Sequence, residues 1–122
     1  MAHILIIDDD EQLRTMLVQM LTHDKHQVRA ATDGEEGLRL VAQSSPDLII
    51  TDILMPHKDG IETILELARS GRKIPIIAMS GGRRSISAEF NLESAALLGV
   101  SETLAKPFSR DDLRQAVARA LA

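Results

Sequence analysis

Three carboxylates, a hydroxyl and an ammonium group follow four short apolar segments of the chain: Asp8, Asp9, Asp52, Ser80 and Lys106. Carboxylates held about 4 Å apart repel by roughly 4 kcal/mol per pair at an effective dielectric of 20. Three clustered aspartates and one lysine leave two uncompensated negative charges, which one divalent cation would cancel. Because Mg²⁺ prefers oxygen ligands and few carboxylates, the residue types predict a magnesium site.

The aspartates differ in how strongly they indicate function. Asp8, Asp9 and Asp10 are consecutive, and the alternative interpretation is that one caps a helix while the others are solvated. Asp52 has apolar residues on both sides, where an uncompensated carboxylate would be costly to desolvate. Zinc is not indicated, because the chain has no cysteine and its one close histidine pair, His23 and His26, is expected to be solvated.

Strands and helices alternate along the sequence. Almost wholly apolar segments predict five strands, at residues 4–7, 28–31, 48–50, 74–79 and 103–105. Each is followed by apolar residues at helical spacing, including Leu92, Ala95 and Ala96 in the fourth helix, and Ser109 with Asp112 predicts the cap of the fifth. Strands that are apolar throughout indicate a parallel sheet covered on both faces, so the fold class is doubly wound α/β.

Length and composition favour one domain over residues 1–122. The chain has 44% apolar residues and a net charge of −4, which disfavours binding to nucleic acid or to an anionic membrane. Its N-terminus resembles neither a signal peptide nor a membrane span, so a cytoplasmic location is expected. Ligands of open parallel sheets bind beyond the carboxyl ends of the strands, where the five side chains are predicted to lie.

Four motifs carry a family resemblance: ILIIDDDE, LIITDILMPHKDG, AMSGG and LAKPF. In this order and at these spacings they resemble the CheY-like receiver domain of two-component response regulators, over the whole chain. The resemblance implies a flavodoxin-like (βα)5 fold with strand order 2-1-3-4-5. Because the 122 residues end with the predicted fifth helix, the single-domain form of this family, with no output domain, is expected.

The resemblance further implies a role for each site residue. Asp52 would accept a phosphoryl group from a sensor histidine kinase or a histidine phosphotransfer protein. Mg²⁺ would be bound by Asp8, Asp9, Asp52 and the backbone carbonyl of Leu54. Lys106 would pair with Asp52 and then with a phosphoryl oxygen, and the Ser80 hydroxyl would hydrogen-bond another phosphoryl oxygen. The peptide bond before Pro107 would be cis.

Three features depart from the family pattern. Thr103 stands where an aromatic residue usually reports phosphorylation to the distal face. The interval between Ser80 and Lys106 is 26 positions, longer than the resemblance predicts, and the excess falls in the loop 81–87. Leu54 and Gly82 replace neighbours that control water access, so the lifetime of the phosphoryl group does not follow from the family.

The output is expected to pass to a downstream target protein. The face made by the fourth helix, fifth strand and fifth helix is the expected contact surface, and the face through which a homodimer would form. A terminal regulator, a phosphoryl shuttle and a phosphate sink all remain open.

The same residues bear on three other function classes. A receiver that binds a partner without phosphorylation is the main alternative, because of Thr103 and the altered loop. An aspartate-nucleophile phosphatase of the haloacid dehalogenase type needs a second Asp where Leu54 stands. A flavin-binding function is disfavoured, because this sequence has neither a phosphate-binding loop after the first strand nor aromatic residues to flank the flavin ring. The chain is therefore expected to catalyse only its own phosphorylation and dephosphorylation, and not to be an enzyme acting on other substrates.

Overall fold

The computed structural model describes residues 2–52, 60–71, 73–80 and 100–122. The strands are β1 (His3–Ile7), β2 (Gln27–Ala31), β3 (Leu48–Asp52), β4 (Ile76–Ser80) and β5 (Glu102–Ala105). The described helices are α1 (Glu11–His23), α2 (Gly34–Gln43), α3 (Gly60–Arg69) and α4 (Arg110–Leu121). Helix α4 is the fifth helix predicted from sequence, and the predicted fourth helix lies outside the described residues.

All five strands are parallel and lie in the order β2-β1-β3-β4-β5, which confirms the predicted topology. From β1 the chain moves outward to β2, and then crosses back to place β3 on the other side of β1. The reversal of strand order therefore falls between β1 and β3. Because parallel strands end at the same edge, the residues that follow β1 and end β3 are neighbours.

Alternation along β1 divides the core between the two faces of the sheet. Ile4 and Ile6 pack with α1 and α4, whereas Leu5 and Ile7 pack with α2 and α3. All four side chains are almost fully buried. A strand buried on both faces holds its ends rigidly, which fixes the positions of the polar residues that follow it.

Polar caps begin three of the helices. The Asp10 side chain accepts hydrogen bonds from the backbone N–H groups of Gln12 and Leu13 at the start of α1. Asp33 caps α2, and Ser109 and Asp112 form the predicted reciprocal capping box of α4. None of the described helices is both long and apolar enough to cross a membrane.

An exposed ion pair joins α4 to the end of α1. The Arg114 guanidinium donates from Nε and Nη2 to the two carboxylate oxygens of Asp24, each at 3.0 Å. This hydrogen bonding and the positive charge hold the pKa of Asp24 below its usual value. The two helices that cover the same face of the sheet are thereby linked at their surface.

Two strand boundaries differ from the prediction by two residues, and the others differ by one residue at most. Strand β4 begins at Ile76 and not at residue 74, because Pro75 has no N–H group to donate to the ladder. Its carbonyl still accepts a bond from the Ile49 N–H at 3.0 Å. Strand β3 continues through Thr51 to Asp52, so the acidic residue itself belongs to the ladder, opposite Met79.

His23 is exposed as expected, but the expectation that His26 is solvated is wrong. His26 is half-buried, and its Nδ1 accepts a hydrogen bond from the Ala2 N–H at 3.2 Å. Because β1 and β2 are neighbours in the sheet, the turn before β2 lies against the residue before β1. The imidazole fixes the start of the sheet, at the edge opposite the acidic residues.

Candidate functional site

The strand reversal brings Asp8 and Asp52 together. Asp8 follows β1, and its N–H continues the ladder by donating to the Ala31 carbonyl at 3.1 Å. Asp8 is 0% and Asp52 6% exposed, whereas Asp9 is exposed. One carboxylate oxygen from each of Asp8, Asp9 and Asp52 lies within 4.8 Å of the others. The structure thus brings together the three aspartates that the sequence predicted to cluster.

Lys106 contacts two of these carboxylates from the end of β5. Its Nζ donates a hydrogen bond to Asp52 Oδ2 at 2.8 Å and lies 3.5 Å from Asp8 Oδ2. Burial alone would lower the pKa of this lysine, but the hydrogen bond to Asp52 and the negative charges of Asp52 and Asp8 together raise it. The ammonium therefore stays charged and partly offsets the carboxylates.

Asp8 is the least compensated member of the site. Its Oδ1 accepts the Asp10 N–H at 2.9 Å, but its buried Oδ2 has no hydrogen-bond partner among the described residues. Burial raises the pKa of Asp8 to about 6, and the charges of Asp52 and Asp9 act in the same direction. The Asp10 N–H and the Lys106 ammonium oppose the rise without cancelling it.

These observations fit a divalent cation. Three carboxylates and one ammonium carry a charge of −2 when all are ionised, and the buried Asp8 Oδ2 accepts no hydrogen bond from the described residues. The donor set consists of hard oxygen atoms, which Mg²⁺ prefers over nitrogen or sulfur. Asp8, Asp9 and Asp52 therefore suit the predicted metal, while Leu54, with its predicted carbonyl ligand, lies outside the described residues.

Arg14 is a site neighbour that the sequence reasoning missed. Its guanidinium Nη1 donates to the backbone carbonyl of Asp8 at 2.9 Å, although the residue lies in α1. Its own N–H donates to the Asp10 carbonyl, also at 2.9 Å. The available signal was its spacing, since an arginine four residues after the capping aspartate lies one helical turn away and can reach back to the strand end.

The remaining predicted residues fall in different places. Ser80 ends β4 in register with Ala105, next to the strand that carries Lys106, and its hydroxyl contact stays a prediction. Thr103 is exposed on β5. The Lys106–Pro107 peptide bond is cis, as the resemblance implies. The loop 81–87 and the predicted fourth helix lie outside the described residues, whereas the other two elements of the predicted interaction face, β5 and α4, are described.

Comparison with known proteins agrees with this geometry. The family model described as "Response regulator receiver domain" matches residues 4–118. The transcriptional regulatory protein AfsQ1 of Streptomyces coelicolor is 38% identical over 96 residues, which are 79% of this chain and 42% of that protein. Curated relatives such as this one and the response regulator MprA of Mycolicibacterium vanbaalenii are thus matched over less than half of their length.

Solved structures share the whole fold. A response regulator receiver domain protein from Clostridium thermocellum superposes with a TM-score of 0.89 at 29% identity, over 99% of this chain and 94% of that one. The chemotaxis protein CheY4 of Vibrio cholerae gives a TM-score of 0.87 at 28% identity, over 99% of each chain. The similarity therefore includes all the elements that place the acidic cluster.

Proposed function

Because this chain belongs to the response regulator receiver domain family of two-component signalling, we propose that Asp52 is its phosphoacceptor. One observation carries the assignment. Asp52 ends the central strand β3 with its Oδ2 hydrogen-bonded to Lys106 Nζ at 2.8 Å, beside the carboxylates of Asp8 and Asp9. A carboxylate nucleophile next to a positively charged side chain is what phosphoryl transfer to an aspartate requires.

In the proposed step, an Asp52 carboxylate oxygen attacks the phosphorus of a phosphohistidine in line with the bond that breaks. The P–N bond breaks, its electron pair stays on the imidazole nitrogen, and an aspartyl phosphate forms. A small donor such as acetyl phosphate would react in the same way, with a P–O bond breaking and acetate leaving. Asp52 is therefore the proposed nucleophile with both kinds of phosphoryl donor.

Asp8, Asp9 and Asp52 would hold Mg²⁺, together with the predicted Leu54 carbonyl. When bound, the cation offsets negative charge on the carboxylates and on the transferring group. Lys106 Nζ exchanges its bond with Asp52 for one with a phosphoryl oxygen, and the Ser80 hydroxyl is proposed to bind another. These new contacts draw the ends of β4 and β5 toward the phosphoryl group, which is the proposed switch.

The proposed donor is a sensor histidine kinase or a histidine phosphotransfer protein, and the readout is altered binding of a downstream protein. The face made by the predicted fourth helix, β5 and α4 is the proposed contact or homodimer surface. The restriction of catalysis to the chain's own phosphoryl group is likewise a proposal. The apolar Leu54, in place of a second acid, supports that restriction.

Intact-protein mass after incubation with acetyl phosphate and Mg²⁺ tests the proposal. We expect the native protein to gain one phosphoryl group, and Asp52→Asn or a metal-free sample to gain none. Asp111→Asn, which removes an exposed carboxylate in the first turn of α4, should still gain one.

A native protein that neither gains the group nor binds a beryllofluoride mimic would overturn the proposal. That result would favour the second candidate, a receiver that binds its partner without phosphorylation. The exposed Thr103 on β5, where an aromatic residue was expected, is the observation that favours this candidate.

A further inference from the structure

We infer that Arg14 is a positioning residue that holds the turn between β1 and α1 in the shape that presents Asp8 and Asp9 to a divalent cation. The inference rests on the metal site of the proposed function, but not on phosphoryl transfer. Arg14 acts through the hydrogen bond from its guanidinium to the backbone of Asp8, and not through contact with the cation itself.

Hydrogen bonds hold both ends of this turn, at Asp8 and at Asp10. Upstream, the Asp8 N–H donates to Ala31 of β2, and its Oδ1 accepts from the Asp10 N–H at 2.9 Å. Downstream, the Asp10 carboxylate caps α1 by accepting from Gln12 and Leu13. Between these anchors lies Asp9, whose carboxylate position depends on the backbone of its two neighbours.

Arg14 connects the two ends of the turn, because it forms hydrogen bonds with the backbone of both Asp8 and Asp10. It belongs to α1 through its N–H bond to the Asp10 carbonyl, and it reaches back to β1 through the 2.9 Å bond from Nη1 to the Asp8 carbonyl. A charged donor makes a stronger bond to a carbonyl than a neutral one. The side chain is half-buried, so water competes for this bond less than at an open surface.

Loss of this bond is expected to act on the metal site indirectly. The Asp8 carbonyl would turn toward water, and the Asp8 and Asp9 carboxylates would move with the backbone that carries them. Groups that orient the first ligands of a metal commonly change affinity by 10-fold to 100-fold when removed. Because Arg14 acts through the backbone, we expect the lower end of that range.

The test is the Mg²⁺ dissociation constant of the unphosphorylated protein, measured by calorimetry. Arg14→Met keeps a long helix-forming side chain without a donor, and it should weaken binding about tenfold. Arg14→Lys keeps a charged donor and should recover most of the loss. Arg39→Met is the matched control, because Arg39 is exposed on α2, and it should leave the constant unchanged.

Amide hydrogen exchange gives a readout that is independent of metal and of activity. In the metal-free protein, Arg14→Met should speed exchange at the Asp10 amide, which donates to Asp8 Oδ1, while amides in the middle of β3 keep their protection. A merely destabilised protein would instead lose protection throughout. Should Arg14→Met fail to fold by circular dichroism, Arg14→Gln, too short to reach the carbonyl, takes its place with the same expectations.

The outcomes separate this inference from the proposed function. Unchanged Mg²⁺ affinity and unchanged Asp10 exchange in a folded Arg14→Met protein overturn the positioning role. A native protein that binds Mg²⁺ but takes no phosphoryl group overturns Asp52 as phosphoacceptor and leaves the Arg14 comparison intact. A native protein that binds no Mg²⁺ overturns the inference together with the metal site.

Discussion

Lys106 Nζ lies 2.8 Å from Asp52 Oδ2, although 54 positions separate the two residues in the chain. The same ammonium lies 3.5 Å from Asp8 Oδ2, so one cation at the end of β5 compensates two buried carboxylates at the ends of β1 and β3. Replacing Lys106 with a neutral residue would leave the Asp52 and Asp8 carboxylates without a compensating positive charge. Replacing Asp52 with a neutral residue would still leave the Asp8 carboxylate near the ammonium, so the loss of Lys106 should be the more costly of the two.

The pair should show measurable coupling in the metal-free protein. Lys106→Met should lower the free energy of unfolding more than Asp52→Asn does, and the double variant should give a coupling energy of about 1–3 kcal/mol. The exposed pair Arg119–Glu102, with Nε and Oε1 also 2.8 Å apart, is the matched control and should couple by less than about 1 kcal/mol.

Urea unfolding followed by far-ultraviolet circular dichroism suits this double-mutant cycle, because the chain has no tryptophan or tyrosine. Equal coupling energies in the two pairs would mean that burial adds nothing to the Lys106–Asp52 contact.

Asp8→Asn should stabilise the metal-free protein at neutral pH. The folded protein keeps the Asp8 proton up to about pH 6, whereas the unfolded chain releases it near 3.8. The folded state therefore binds more protons between these values, and stability falls as pH rises through that window. Since asparagine is neutral and can still accept the Asp10 N–H, we expect a gain on the order of 1–3 kcal/mol at neutral pH.

The pH dependence of the stability gained by Asp8→Asn shows whether the charge of Asp8 is its cause. In chelator-treated samples the difference between Asp8→Asn and the native protein should shrink as pH falls toward 4, because Asp8 is then protonated in the folded state. Urea unfolding at a series of pH values measures it. A difference that does not vary with pH would show that the charge of Asp8 is not the cause.

Mg²⁺ should stabilise the native protein and should stabilise Asp9→Asn less. A ligand that binds only the folded state, at a free concentration of about ten times its dissociation constant, adds about 1.4 kcal/mol to the free energy of unfolding. The measurement is the thermal midpoint with and without Mg²⁺, with a monovalent salt at equal ionic strength as control. An equal rise in the native and Asp9→Asn proteins would place the bound cation away from the acidic cluster.

Gly37→Ala should destabilise the protein although alanine is the better helix former. A Cβ at this position of α2 would lie 2.8 Å from Ile7 Cγ1 and still closer to Cδ1, and Ile7 is fully buried. Overpacking of this kind costs about 1–3 kcal/mol. Ile7→Val deletes the closest atom and should recover part of the loss, which urea unfolding of the single and double variants measures. Additive losses would mean that the clash is relieved elsewhere.

Much of the fold follows from local sequence. Almost wholly apolar runs before the site residues predicted four of the strands, and Ser109 with Asp112 predicted the start of the last helix, which the structure confirms. These signals are local, since they depend on side-chain periodicity and on caps within one turn. His26 shows the limit, because its bond to Ala2 depends on which strands are neighbours.

The candidate site shows the same division. The sequence by itself determined that three carboxylates, a hydroxyl and an amine follow parallel strands, and therefore that they lie at one edge of the sheet. The resemblance implied that Lys106 pairs with Asp52, as the structure shows. Only the tertiary structure decided the contacts of Lys106 with Asp8 and of Arg14 with the Asp8 carbonyl.

The physical reason is that strand order and register are set by packing across the whole core, whereas side-chain type and spacing are local. Burial has the same origin. Asp8 and Asp9 are identical neighbours in sequence, yet the sheet buries one and leaves the other exposed. That difference, which raises the pKa of Asp8 to about 6, exists only in the folded chain.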